Sequence, residues 1–480
     1  MAVPAAIIDV ATLGAGLTET QAREIYRRGE EATVLALMTL AKQAIASQGS
    51  SQAASPTTPS GMQPVYTKPS TRRRGKPGRK AGHAGSRRAK PGRIDKQQEH
   101  HLDRCPCCGG AVSRCKQSRV RYIEDIPEGI HVEVTEHTIH RHWCSTCRKH
   151  VEPVVPDALP GSSIGLRTLV MTAWLHYGLG TTIQQIIDVF GYHMRMTLTP
   201  GGLVKMWHRL ATMLDSWYEQ IQAEAQGSAV LQADETGWRV NGTTHWLWAF
   251  GSEQAKLTYY MIHRSRGSPA LDEFFTQEFN GTLVTDFWSA YHAVTCSDRQ
   301  MCLVHLLREL KTVEASRRCG EDTFRDWPTF AKTLRRLIGD ALRLRKRDDI
   351  DEATYQRRVI QIDRRLTAMI ETPWNHADAR RLNKRLTQYR DHLFTFLDTP
   401  GVPSDNNHAE RMIRPAVIIR KNTYGNRSDR GAATQAVLMS IHRTLKQRGH
   451  NPLQTITDAL KTYLTTGQLP PLPGNAAADG

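Results

Sequence analysis

Apolar positions follow different rhythms in different parts of the chain, and each rhythm predicts a different kind of element. A helix is expected to open at Thr18-Glu-Thr-Gln-Ala-Arg-Glu, where a threonine cap precedes acidic residues in the first turn. Leu35, Leu37, Met38, Leu40 and Ile45 carry the apolar pattern past Gly29. That segment suits either a short oligomerising helix pair or a helix packed on its own domain. From Ser47 to Pro69 the chain turns to Ser, Gln, Ala, Thr and Pro, which bury too little apolar surface to fold. The strand pattern in His131-Val-Glu-Val-Thr-Glu-His-Thr-Ile139, within the spacer between the cysteine pairs, predicts a strand. Leu166 to Gln226 reads as helices. Within it, Thr181 to Gly191 and Thr199 to Trp207 form two helical stretches around a glycine turn.

Residues 228 to 291 change period. Val230-Leu231 running up to Asp234, His245 to Phe250 and Leu257 to Ile262 read as three strands. Ala270 to Phe275 reads as a crossover helix and Leu283 to Asp286 as the next strand. Residues 302 to about 400 are helical and charged, with no strand pattern, and read as an insertion. Ser404 or Asp405 can cap one more helix, which Pro415 should end or kink.

Three acids stand out against this pattern. Asp234 sits near the end of the first strand, where a carboxylate can leave the core and face a cleft. Strand neighbours point to opposite faces, so Glu235 cannot enter the same cleft. Alone, Asp234 would be an ordinary turn residue. A second stretch of the same form, Thr282-Leu-Val-Thr-Asp-Phe-Trp288, delivers Asp286. A third acid, Glu410, lies in Ser404-Asp-Asn-Asn-His-Ala-Glu-Arg-Met-Ile-Arg414. Two strand-end aspartates and a helical glutamate can together hold two divalent cations, an arrangement suited to cutting and joining phosphodiesters. Asn406, one turn before Glu410, is placed to donate a hydrogen bond behind the carboxylates. Arg411 and Arg414, on a neighbouring face, are placed to grip phosphates.

Charge points to a polyanionic partner. Lys and Arg outnumber Asp and Glu by 64 to 47, for a net charge of +17 over 480 residues. Residues 68–93 hold eleven of those cations and no acid, so the rest of the chain carries only +6. In Arg72-Arg-Arg-Gly-Lys-Pro-Gly-Arg-Lys80, glycine and proline keep the chain thin, while Arg72, Arg73, Arg74, Lys76, Arg79 and Lys80 can reach phosphates from a minor groove. A solubilising linker has the same composition, but the rest of the chain favours DNA contact without base specificity. The two helical stretches after Thr181 would, as a helix-turn-helix, turn Lys205, His208 and Arg209 toward DNA. Plain helical packing explains their isoleucines and Trp207 equally well. No basic amphipathic helix or long apolar run points to a membrane. The first residues lack a basic start and carry Asp9, so no signal peptide is expected.

Cysteine usage adds a metal. Cys105-Pro-Cys-Cys108 and Cys144-Ser-Thr-Cys147 are two C-x-x-C pairs 35 residues apart, spacing that suits a tetrahedral zinc site. Cys105, Cys108, Cys144 and Cys147 are the expected ligands. Cys107 competes with Cys108, and Cys115 is spare. Clustered cysteines in a chain with no export signal also fit a reducing cytoplasm.

Together these blocks resemble the transposases of the insertion sequence 66 family, bacterial DDE enzymes. The resemblance rests on the basic segment with Gly82-His-Ala-Gly85, the C-x-x-C pairs, the Asp-Glu-Thr block, the Asp286 block and the Asp-Asn-Asn-His-Ala-Glu-Arg block. It implies a multidomain α/β protein whose catalytic core is RNase H-like with a helical insertion, an order that the three strands, helix and fourth strand also follow. The expected division is a helical segment 1–48, a disordered basic linker 49–93 and a zinc-binding, ribbon-like domain 94–153. A helical, DNA-binding-like region 154–226 follows, then the core in two parts, 227–320 and 404–480, around an insertion 321–403. Catalysis falls on Asp234, Asp286 and Glu410 with Mg²⁺ or Mn²⁺, beside the structural Zn²⁺. The reaction implied is cleavage at an element's terminal repeats and joining of the free 3′ ends to target DNA. Double-stranded DNA, further copies of the chain and accessory proteins of the same element are the implied partners, at the nucleoid. The family also has a Cys-x-x-His element, matched by Cys302-Leu-Val-His305 and followed by Arg308. That pair suits either a metal-adjacent role or a buried cysteine and a capped histidine. A zinc-dependent DNA-binding regulator derived from such an enzyme would share the ribbon and basic arm without needing three spaced acids. Another RNase H-like nuclease, such as a junction resolvase, would usually lack the ribbon and the insertion.

Overall fold

The structure is a computed structural model that describes residues 132–316 and 326–476 continuously, with isolated positions between 23 and 123. Most of the N-terminal helix expected from Thr18, and all of the basic stretch 72–80, lie outside the described residues.

A small hairpin, β1 (His142–Cys144) and β2 (Lys149–Val151), comes first. The alternating stretch before it does not form the expected strand: residues 132–140 have no regular structure. Val132, Val134 and Ile139 stay exposed. Alternation alone is not enough where no sheet or core offers its apolar side a surface.

Four helices follow, α1 (Leu166–Ala173), α2 (Ile183–Met194), α3 (Pro200–Met213) and α4 (Asp215–Gln226). Both expected starts are capped. Thr182 and Gln185 exchange the two bonds of a capping box, and the Thr199 side chain accepts the Gly202 amide.

The centre is a five-stranded sheet of β3 (Val230–Val240), β4 (Thr243–Ser252), β5 (Leu257–His263), β6 (Phe279–Thr285) and β7 (Cys296–Met301), in the order β5-β4-β3-β6-β7. The first three are antiparallel, while β6 runs parallel to β3 and β7 parallel to β6. A short helix, α5 (Ser268–Phe274), makes the crossover to β6. β3 does not stop at the acidic step. It continues six residues beyond Asp234 because β4 pairs with it from Gln232 to Val240. The turn comes instead at Asn241-Gly242, both with positive φ, the backbone a two-residue hairpin needs. β7 has a polar sequence, Cys-Ser-Asp-Arg-Gln-Met, with none of the apolar alternation that predicts a strand.

Helices cover both sheet edges. Along β5 the amides of Thr258 and Tyr260 donate to the hydroxyls of Thr444 and Ser440, at 3.1 and 2.8 Å. Both hydroxyls belong to α12 (Asp429–Gln447). An otherwise open strand edge is thus satisfied by side chains. On the other side stands the insertion, α6 (Leu303–Ser316), α7 (Trp327–Leu344), α8 (Glu352–Glu371), α9 (Ala377–Gln388) and α10 (Thr395–Asp398). It has its own apolar core, which joins the sheet at Val284, Phe287 and Met301. Gln300 on β7 bonds Leu393 O and the Phe396 amide, each at 2.9 Å.

The helix bearing Glu410, α11 (Asn407–Thr423), runs through Pro415 rather than ending there. Proline disturbs the carbonyls three and four residues before it. One of these, Met412 O, accepts the Tyr260 hydroxyl at 2.6 Å. Gly251 on β4 leaves room for the Met412 side chain, which a Cβ there would strike. A last helix, α13 (Pro452–Thr466), closes the described chain. No described helix is long and apolar enough to cross a membrane.

Candidate active site

β3 and β6 stay paired only from Val230 to Gln232 and from Thr282 to Val284. Asp234 lies two residues past that pairing, and Asp286 lies one residue past the end of β6. Both therefore emerge where two parallel strands part, Asp286 at the C-terminal end of β6 and Asp234 within β3, near the usual place for a site in a sheet of this kind. Asp234 and Asp286 are nevertheless 8% and 6% exposed.

Local bonds fix both carboxylates. Asp234 Oδ1 accepts the Glu235 amide and Asp286 Oδ1 accepts the Trp288 amide, each at 2.9 Å. Burial pushes the Asp234 carboxyl well above the usual range, and the charges of Glu235 and Asp286 push it further. Burial also lifts Asp286 to about 7, with Glu235 adding to it, against the Trp288 amide, Arg266 and Arg385. Two buried acids this close hold protons unless cations arrive.

Glu235 points away from Asp234, as strand geometry requires, into a cage the sequence did not announce. Arg266 Nε and Nη2 donate to its Oε1 at 3.1 and 2.9 Å, and Tyr291 Oη to its Oε2 at 2.7 Å. The guanidinium lies between the rings of Trp246 and Trp288, 4.6 and 3.9 Å from their centroids. Trp288 Nε1 returns a bond to Arg266 O at 3.2 Å. The cage thereby braces Trp288, whose amide holds Asp286. A fully buried glutamate beside Asp234 was the one available sign of it, because such a group needs a cation.

Glu410 sits in the first turn of α11 and is 8% exposed. Arg308 on α6 grips both its oxygens, at 2.6 and 3.1 Å. Asn406 is the N-cap residue of α11, in place of Ser404 or Asp405. Asp405 Oδ1 takes the Asn407 amide, and Ser404 O takes that of Leu303. Asn406 donates its Nδ2 to Ala233 O at 2.7 Å, tying the Glu410 helix to the residue before Asp234. Its Oδ1 is buried without a partner. Cys302 is buried, and its Sγ accepts the Asn406 amide at 3.2 Å. Burial holds that thiol up at about 12, so it stays protonated, the form that does not ligate a metal. His305 follows it, pushed by burial and by Arg308 down to about 4. The insertion adds Arg385, paired with Glu309 and stacked 5.2 Å from the ring centroid of Phe287.

Among the described residues, no three His, Cys, Asp or Glu side chains form a ready-made metal cage. Asp234, Asp286 and Glu410 share one neighbourhood, close enough that the charges of the other two raise Asp234, but Glu410 is held by an arginine.

The other expected contacts divide. Lys205, Arg411 and Arg414 are exposed, with Arg411 paired to Glu253 at 3.7 Å. Arg209 donates to Pro160 O at 2.9 Å, and His208 shares a 2.7 Å bond with Thr434 on α12. Those last two side chains are engaged within the fold.

Residues 161–434, more than half of the chain and spanning all three acids, match the family model described as Transposase IS66 family. The chain belongs to that family. Residues 103–148 match a second model, the zinc-finger binding domain of transposase IS66. Two proteins of Sinorhizobium fredii (strain NBRC 101917 / NGR234) are similar. Uncharacterized protein y4jD is 22% identical over 421 residues, covering 78% of each chain. Uncharacterized protein y4qI is 25% identical over 240 residues, 45% of this chain and 43% of that one.

In this IS66 family member Cys107 and Cys108 lie on a turn, with an antiparallel bridge between Arg104 and Ala111, and β1 and β2 flank the second C-x-x-C pair. The Cys147 amide donates to Cys144 Sγ at 3.4 Å, the amide-to-sulfur bond of a zinc knuckle. That amide also draws the Cys144 thiol below its ordinary range, toward the ligating thiolate. Cys107, Cys108, Cys144 and Cys147 are all free thiols, while Cys105 and Cys115 lie outside the described residues. Among the described residues of this part, Val112, Val120, Ile123 and Val134 are exposed rather than packed in a core. Its order should therefore depend on the metal. Stripping zinc should open residues 94–153 to protease while 161–476 stays resistant. Equal resistance with and without zinc would refute that dependence.

Proposed function

We propose that this transposase-family chain is a DDE enzyme that cleaves DNA at the terminal repeats of an insertion sequence and joins the ends to target DNA. Its support is the pairing of Asp234 and Asp286: two buried acids, on parallel strands that part there, each raised by burial and by neighbouring charge. Such a pair is costly unless cations are its purpose. Hard carboxylate oxygens suit Mg²⁺ or Mn²⁺, and the buried, unpartnered Oδ1 of Asn406 leaves a polar group for the filled site to satisfy. Asp234, Asp286 and Glu410 would be the ligands. When bound, the ions supply charge that stabilises attacking and leaving oxygens in an in-line displacement.

The chain's own groups do the rest. Trp288 N–H orients Asp286, Asn406 fixes the Glu410 helix against β3, and the Arg266 cage holds Trp288 from behind. The strand order and the helical insertion before Glu410 support reading the core as RNase H-like. Cys105, Cys108, Cys144 and Cys147 would hold zinc. Residues 72–80, with exposed Lys205, Arg411 and Arg414, would contact the DNA backbone.

The test is cleavage of duplexes carrying the element's ends. Cutting should require Mg²⁺ or Mn²⁺ and vanish in Asp234→Asn, with binding nearly unchanged. Binding without metal-dependent cutting would leave a zinc-bearing regulator, and preference for branched DNA would indicate a resolvase.

A further inference from the structure

The Cys302-Leu-Val-His305-Leu-Leu-Arg308 face of α6 takes no part in the chemistry above, yet it holds both ends of the first turn of α11. At one end Cys302 Sγ accepts the Asn406 amide at 3.2 Å, beside the backbone bond from Leu303 to Ser404. At the other, the guanidinium of Arg308 covers both oxygens of Glu410. A two-pronged pair of this kind fixes direction as well as distance. It also occupies one lone-pair site on each oxygen and brings a positive charge that an approaching cation must face.

We infer that Arg308 is a positioning residue that holds Glu410 in the metal-free protein and competes with the divalent cation for its carboxylate. This rests on the triad reading above and adds how the third ligand is controlled. Burial decides which partner can leave. The Glu410 side chain is 9% exposed and lies on a helix tied down by Asn406, whereas the Arg308 side chain is 45% exposed. Arg308 therefore swings out toward solvent or a DNA phosphate, and Glu410 stays. Until then the charge of Arg308 offsets that of Glu410. Cys302 is, on this view, an anchor of the helix that presents the arginine, not half of a second metal site.

The probe is Mn²⁺ alone, titrated into the zinc-loaded full chain, with free Mn²⁺ counted by electron paramagnetic resonance. Binding that Asp234→Asn removes defines the carboxylate site. Arg308→Ala should tighten that binding roughly tenfold, the equivalent of losing one charge-assisted pair. Arg308→Lys, which keeps a charge but not the fork, should tighten it less. A merely structural role predicts weaker binding in both variants, together with a lower Tm, and equal or weaker binding overturns the inference. The failure of the triad reading looks different: Asp234→Asn and Asp286→Asn would then leave Mn²⁺ binding as it is in wild type.

Discussion

Asp286→Asn is expected to abolish DNA cleavage, by about a thousandfold or more, and to make the metal-free protein more stable at pH 8. These opposite effects have one cause. The folded protein holds the Asp286 proton up to about pH 7, against an ordinary value of 3.8. The folded state therefore binds the proton more tightly than the unfolded chain does. Stability from that proton is fully present below about pH 4 and is lost as pH rises through 7. A three-unit shift corresponds to roughly 4 kcal/mol at pH 8, a ceiling because Asp234 titrates with it. Asparagine cannot ionise and keeps an oxygen for the Trp288 amide. Thermal unfolding without added Mg²⁺ should show Tm of the variant above wild type at pH 8 and level with it near pH 4. Added Mg²⁺ should raise wild type and leave the variant unmoved. A variant less stable than wild type at pH 8 would remove the picture of two repelling buried acids.

Arg266→Ala should have the larger effect on folding. Glu235 is fully buried, and its charge is balanced by Arg266 with help from Tyr291. Removing one partner of a buried pair leaves an uncompensated charge, at about 3–5 kcal/mol. Here the loss also empties the space between Trp246 and Trp288. Denaturant unfolding should show that loss at neutral pH, and the double variant Arg266→Ala, Glu235→Gln should recover part of it. If the double variant were no better than the single, stacking between the two tryptophans, rather than charge pairing, would be the main contribution of Arg266. Asp286 would feel the same change through Trp288, so cleavage should fall even where the protein still folds.

Much of this protein could be read from residue order, because periodicity and turn chemistry are local. Helices α2 and α3 begin at the threonines that cap them. β4, β5 and β6 fall on the apolar runs that predict strands, and Glu410 lies on a capped helix as its neighbours suggest. The two C-x-x-C pairs are visible without any fold at all. Where the reading failed, a distant partner had outvoted the local pattern. Paired to β4, β3 continues beyond Asp234, whereas residues 132–140 before β1 pair with no strand among the described residues. β7 is a strand because β6 and the end of the insertion hold it. Pro415 lies within a helix whose Met412 carbonyl accepts the hydroxyl of Tyr260, 155 residues earlier.

Residue order thus determined which acids and cysteines are available for chemistry and which short segments carry them. It could not determine what each acid faces. That Glu235 lies in an arginine cage while Asp234 turns toward Asp286, and that Arg308 holds Glu410, depends on side chains brought together from across the chain. Charge pairing and desolvation act through space over a few ångströms, and only the folded chain sets those distances.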